Sequence, residues 1–270
     1  MIKHKEDVFL REIDILGRCK HPNIQSFIGF YDEGSTKMLF YVYNSFKFLH
    51  QFLNDANLTW EIRLKICIDV ANGLDYLHNK MEDQKMVIHG DINSENIELD
   101  DIWGAKIVGF EKSGMFHSET YDHVTRRFEG DPGDLHYPEY GMTDELTKIS
   151  DIFSFGIVMM EILCGTCILG DFHKNDLKKV VRQDLEELSL HWLQNGTIKG
   201  KLSPVVWEYN CGNNYSRPNK DSLNTFIDII YKCLRNDYNN PLEMKVVVKE
   251  LHKALSFQRR TPHRRSYSSI

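Results

Sequence analysis

From Asp151 to Ile162 the chain sets Ile152, Phe155, Ile157, Val158, Met159 and Ile162 around nearly the whole circumference of a helix. A helix with so little polar surface holds together only when other elements surround it, so it must lie at the centre of a domain. Other segments can supply the surround. Trp60 to Asn79 places Ile62, Ile66, Val70, Leu74 and Leu77 on one stripe, residues 222–234 and 175–194 read as helical, and Leu242 to Leu255 is amphipathic. Ahead of these the pattern changes. Phe9, Ile13 and Leu16 mark a helix over residues 5–17, and His21-Pro22-Asn23 breaks the chain. Two strand-like runs follow, Ile24 to Tyr31 and Lys37 to Tyr43, joined across Asp32-Glu33-Gly34-Ser35 as a hairpin. A short helix is expected near Leu49 to Leu53, short strands over Met86 to Ile88, Ile97 to Leu99 and Ala105 to Val108, and irregular chain over residues 109–140. The expected fold is α+β, with a small sheet-and-helix lobe followed by a helical lobe.

Composition narrows the function classes. At 41% hydrophobic and 27% charged residues the chain is of ordinary globular type, and its net charge of −6 gives no reason to expect nucleic acid or anionic lipid as a partner. The amino terminus lacks an apolar signal core, and no segment approaches the ~18 consecutive apolar residues of a membrane span. A cytoplasmic protein with reduced, scattered cysteines is expected. Cys164-Gly165-Thr166-Cys167 is a lone C-x-x-C without a second pair or a nearby His, and reads as a small-residue helix end. Arg259, Arg260, Arg264 and Arg265 make residues 258–270 a basic, disordered tail.

The chemistry is concentrated between Val87 and Asp100. There His89, Asp91, Asn93 and Asn96 crowd one loop between two apolar strands. The spacing of His89, Asp91 and Asn96 is similar to the protein-kinase catalytic loop H-R-D-L-x-x-x-N. Phe9-Leu-Arg-Glu12-Ile, His21-Pro-Asn-Ile24, Asp69-Val-Ala-Asn-Gly-Leu-Asp-Tyr-Leu-His78 and Asp151-Ile-Phe-Ser-Phe-Gly156 stand in the order of a eukaryotic protein kinase. Phe27-Ile-Gly29, Leu39-Phe-Tyr41 and Tyr137-Pro-Glu-Tyr140 resemble the plant receptor-like kinases.

That resemblance implies a two-lobed kinase-like fold, with residues 1–45 a partial N-lobe and residues 46–257 a C-lobe. It implies roles as well. Asp91 would be the proton acceptor, Asn96 a magnesium ligand, Glu12 the helix partner of a strand lysine, and Tyr41, Val42, Tyr43 and Glu98 the adenine pocket. ATP and magnesium are implied as cofactors by the resemblance alone. Several expected parts have no counterpart. No Gly-rich loop or lysine strand is present, since Lys3 stands too close to Glu12 to close a strand and enter the helix. Gly90 stands where an Arg belongs and Asn93 where a cation usually sits, and Gly109-Phe110-Glu111 stands for D-F-G, so the metal-holding carboxylate is lost. Glu98 brings a carboxylate to the pocket floor, where an unpaired charge would be costly to bury. Leu16, Phe27, His89 and Phe110 match the apolar stack linking the lobes, with Asp151 anchoring it, while Asn240 replaces the Arg that would pair with Glu139.

At on the order of 3 kcal/mol for each lost transition-state contact, three losses make ordinary turnover negligible. The expectation is a pseudokinase, a binding module engaging other kinases or receptor complexes, cytoplasmic and brought to the inner face of the plasma membrane through partners. Its alternatives are an active serine/threonine kinase known from a truncated gene model, and the product of a decayed duplicate gene.

Overall fold

The computed structural model of the chain describes residues 2–42, 47–117, 126–127, 145–165, 218–235 and 241–260. Tyr43, Cys167, the helix expected over 175–194, Pro138-Glu139, Asn240 and the chain beyond Arg260 lie outside the described residues.

The first helix, α1 (Ile2–Arg18), is followed by an antiparallel hairpin of β1 (Phe27–Glu33) and β2 (Thr36–Tyr41), turning at Gly34 with φ of 60°. Burial along β2 alternates, so that Lys37, Leu39 and Tyr41 face inward while Met38 and Phe40 face out. The helical part is built around α3 (Lys148–Cys164), whose residues from Ile149 to Cys164 are all buried. Thr147 caps its start and Gly165, at φ of 72°, closes its end in a left-handed turn. Helices α2 (Trp60–Asn79), α4 (Lys220–Leu234) and α5 (Met244–Arg260) complete the described helical layer, with α5 packed on α2 and α4. The Trp60 indole donates to Ser222 Oγ at 2.9 Å and meets the edge of Phe226, which fixes α2 against α4.

Short strands line the front of this layer. β3 (Lys47–Phe48), β5 (Ile97–Leu99) and β6 (Ala105–Ile107) form one antiparallel sheet, and β4 (Lys85–Ile88) pairs with β7 (Gly114–His117). A further two-residue pair joins β8 (Arg126–Arg127) to β9 (Glu145–Leu146).

Four local expectations change. The strand expected from Ile24 begins at Phe27, because Asn23 to Gln25 bonds across to β6 instead: Ile107 N–H donates to the Asn23 carbonyl at 2.9 Å and Gln25 N–H to the Ile107 carbonyl at 2.9 Å. That pairing ties the small lobe to the helical one. The helix expected over Leu49 to Leu53 is one 3-10 turn, Leu49–Gln51. Within the irregular span, Gly114–His117 forms a strand, because β4 is buried and its backbone needs a partner. Lastly, α5 runs to Arg260, three residues into the expected tail, since Gln258 is buried and accepts from Asn219 N–H at 2.6 Å, and Arg259 reaches Glu61 at 3.0 Å.

Candidate functional site

β4 carries the chain to His89 and the loop that follows, and the loop hangs from α3. The fully buried Asp151 carboxylate accepts from His89 N–H at 2.8 Å and Gly90 N–H at 2.9 Å, with His78 Nε2 2.9 Å away. His89 Nε2 meets the Val108 carbonyl at 3.0 Å, and its ring stands edge-on to Phe110 at 4.8 Å. Bonding to a carbonyl makes Nε2 the donor and leaves Nδ1 to accept Asp91 N–H at 3.2 Å, so the ring is neutral. Burial, which outweighs the pull of Asp151 and Asp91, accordingly lowers the His89 pKa. Of the expected stack, Leu16 and Phe110 are buried and Phe27 is half-buried against the edge of Tyr41.

Asp91, the expected proton acceptor, is held by its neighbours. Asn93 Nδ2 donates to its Oδ1 at 3.2 Å, Asn96 Nδ2 to its Oδ2 at 3.0 Å, and Lys112 Nζ lies 3.1 Å from Oδ2. Asn93 has a second task. Its Oδ1 accepts from Glu95 N–H at 2.8 Å and Asn96 N–H at 3.0 Å, capping the turn Ser94–Asn96. The capping role of Asn93 goes beyond the lost cation expected at that position, and Lys112, which no sequence motif marks, brings a cation to the same carboxylate from beyond Phe110.

Gly109 adopts φ of 79°, and a Cβ built there would stand 2.6 Å from Asn96 Oδ1. Asn96 therefore occupies the space into which a side chain at position 109 would project. Among the described residues no group of three His, Cys, Asp or Glu converges as a metal set. With a glycine at 109 in place of a carboxylate, the residues present do not fit magnesium held as the resemblance implies.

Glu12, on α1, meets Tyr41: the tyrosine hydroxyl donates to Glu12 Oε1 at 2.7 Å. Burial raises the Glu12 pKa above the ordinary carboxylate value, the Tyr41 bond opposes this, and nearby Glu111 adds to it. Burial and Glu12 together push the Tyr41 hydroxyl up, which keeps it a donor. Both residues line a cavity of about 450 Å³ together with Val42, Glu98, Gly109 and Glu111. Glu98 is buried on β5, where its register partners are Phe48 and Lys106. Tyr41, Val42 and Glu98 thus line one cavity, and Tyr43 falls outside the described residues.

A carboxyl whose pKa is raised on folding contributes stability that is complete below the unfolded value, about 4.3, and is lost as pH rises through the folded value. Glu12→Gln, which keeps an acceptor for Tyr41, is therefore expected to raise stability near neutral pH by about 1 kcal/mol. Urea midpoints of the two proteins should converge at acid pH. A variant less stable than wild type at pH 7 would show that the charge is needed.

Residues 1–195 match the sequence model of the family described as protein tyrosine and serine/threonine kinase. The chain is 35% identical over 254 residues to receptor-like protein kinase ANXUR1 of Arabidopsis thaliana, covering 93% of this chain and 28% of that protein. Receptor-like protein kinase HERK 1, from the same plant, is 34% identical over 255 residues, covering 93% and 29% respectively. The chain spans less than a third of the length of these curated relatives. Both the matched stretch and the loop geometry lead to one family: this chain belongs to the protein tyrosine and serine/threonine kinases.

Proposed function

We propose that this kinase domain is a catalytically impaired binding module of receptor-like kinase signalling, engaging other kinases or receptor complexes. It would act in the cytoplasm, at the inner face of the plasma membrane where its partners hold it. One observation carries the proposal. The carboxylate that should hold a metal is replaced by Gly109, whose side-chain space is filled by Asn96 Oδ1, and the Asp91 carboxylate is bound by Asn93 and Asn96. Lys112 neutralises what remains of the Asp91 carboxylate. Phosphoryl transfer depends on positioned metal and phosphate contacts more than on covalent chemistry by the protein, so their loss removes most of the rate. Support for the signalling context comes from relatives whose names describe receptor-like protein kinases.

The test is a thermal shift of the purified chain with ATP, with and without magnesium or manganese, alongside a peptide phosphorylation assay. No metal-dependent shift and no transfer are expected. Transfer that disappears in Asp91→Ala would overturn the proposal.

Restoring the missing carboxylate alone should also fail. Gly109→Asp puts a Cβ into the Asn96 side chain at a left-handed backbone position, and is expected to destabilise by about 1–3 kcal/mol without creating metal-dependent nucleotide binding. A magnesium-dependent ATP shift in that variant would show that one substitution is all that separates this site from a working one.

A further inference from the structure

Charge is spread unevenly along this chain. Residues 244–270 hold seven Lys and Arg against one acidic residue, Glu250, in a protein whose net charge is −6. The described part of that stretch is α5, which buries Met244, Val247, Leu251, Ala254, Leu255 and Gln258 and packs on α2 and α4. At 3.6 residues per turn, its opposite side carries Lys245, Lys249, Lys253 and Arg260, all exposed, and no carboxylate. The three lysines stand at successive i, i+4 positions, where like charges destabilise a helix. Their exposed side chains add no core packing to offset that cost.

Glutamates temper the row from its flanks without covering it. Lys245 Nζ lies 2.6 Å from Glu243 and Lys253 Nζ 3.2 Å from Glu250, yet the two lysine side chains stay 66% and 52% exposed. Pairs so open to water hold little energy and leave the cations available. Arg259 is turned aside to Glu61 at 3.0 Å and belongs to the contact with α2. Among the described residues no ion pair forms at Lys249 or Arg260. Val246, 39% exposed, sets an apolar side chain among the lysines. Beyond Arg260 the sequence adds Arg264 and Arg265 and no acidic residue.

We propose that the outward row of α5, formed by Lys245, Lys249, Lys253 and Arg260, docks this domain on an anionic phospholipid surface. This goes beyond the function proposed above, in which partners alone hold the domain at the membrane, and it does not depend on whether the domain transfers phosphate. Charge complementarity selects the occupant: a negative surface relieves the repulsion along the row, and the net acidity of the whole chain conceals this one basic face. Shape favours a membrane over an acidic polypeptide. The row runs along the outward crest of a helix for about 22 Å, so a plane meets every cation at once, and no single small anion spans it. Val246 enters the headgroup boundary beside the lysines, a place an acidic strand would not offer it.

The full chain is sedimented with vesicles of phosphatidylcholine alone and with vesicles in which about a third of the lipid is phosphatidylserine, near physiological ionic strength. Binding to the phosphatidylserine vesicles and not to the neutral ones is expected. Lys249→Gln should weaken it about fivefold, and Lys245→Gln/Lys249→Gln/Lys253→Gln at least tenfold, with the fold unchanged by circular dichroism because these side chains are exposed. Lys20→Gln removes the same charge from an exposed position off α5 and should change nothing. Absence of binding to the phosphatidylserine vesicles overturns the proposal. So does equal weakening by Lys20→Gln and Lys249→Gln, which would make the attraction diffuse, or retention of binding by the triple variant. Displacement from the vesicles by inorganic phosphate at matched ionic strength would reduce the row to a small-anion site and overturn it too. Tighter binding to a polyglutamate peptide than to the vesicles at equal anionic charge would assign the row to an acidic polypeptide instead. Failure here leaves the binding-module function standing, and ATP-dependent transfer, which would defeat that function, leaves the vesicle result as it is.

Discussion

Asp151→Ala is expected to lower the unfolding free energy by about 3–5 kcal/mol, the range for removing one member of a buried charged pair. The buried carboxylate serves His89 N–H, Gly90 N–H and the His78 ring together, and alanine leaves all of these donors without their acceptor. Against a total stability of about 5–15 kcal/mol, the loss is large enough to be read directly from urea midpoints. Asp151→Asn keeps one oxygen acceptor but turns an N–H toward the other backbone donor, so an intermediate loss is expected. If the alanine variant falls within about 1 kcal/mol of wild type, the loop is held by something else.

The same substitution changes the response to acid. Burial alone would raise the Asp151 carboxyl, but the hydrogen bonds it accepts from His78 and the Gly90 N–H hold it below the ordinary value. Its contribution is therefore present above the unfolded pKa, about 3.9, and lost as pH falls through the folded value. His89 acts in a higher window. Its neutral ring is favoured by burial, so that contribution is complete above about 6.5 and declines as pH falls below it. Wild type should lose stability in two stages on acidification, and Asp151→Ala should lack the lower one.

The fold was legible where a pattern had a single physical meaning. The all-round apolar helix had to be central, and α3 is buried from Ile149 to Cys164. Spacing placed His89, Asp91 and Asn96 in one loop, and they meet there. Side chains that act over long reach left no such trace. Lys112 arrives at Asp91 by a flexible stem from a polar stretch with no periodicity, so nothing in its neighbourhood announces the contact. Asn93 was a different kind of miss. An Asn ahead of Ser94-Glu95-Asn96 is a legible capping signal, and its side-chain oxygen caps that turn. β7 escaped because its own residues are partly polar, and it forms to satisfy the backbone of β4.

Arg63 was hidden for a further reason. It lies off the apolar stripe read along α2, yet it is buried, because helices enclose α2 on more than one side. Its guanidinium donates to the carbonyls of Leu58 at 2.8 Å, Ile162 at 2.7 Å and Leu53 at 2.9 Å. Ile162 lies in the last turn of α3, where carbonyls lack helical partners and the helix dipole is negative, so a cation is well placed there. Burial pulls the guanidinium down to about 10, which still leaves it charged at neutral pH. Arg63→Ala should orphan these carbonyls and open a cavity, costing about 3–5 kcal/mol. Arg63→Met separates the two effects, since it fills most of the volume without donating; a methionine variant as stable as wild type would reduce the role of Arg63 to packing. Asp151 and Ile162 are about 16 Å apart along α3 at the helical rise, far enough for their effects to add. One end of α3 holds the loop that carries Asp91 and the other is held by Arg63, so the double variant Asp151→Ala/Arg63→Ala should lose nearly the whole stability of the domain and fail to refold on dilution from urea.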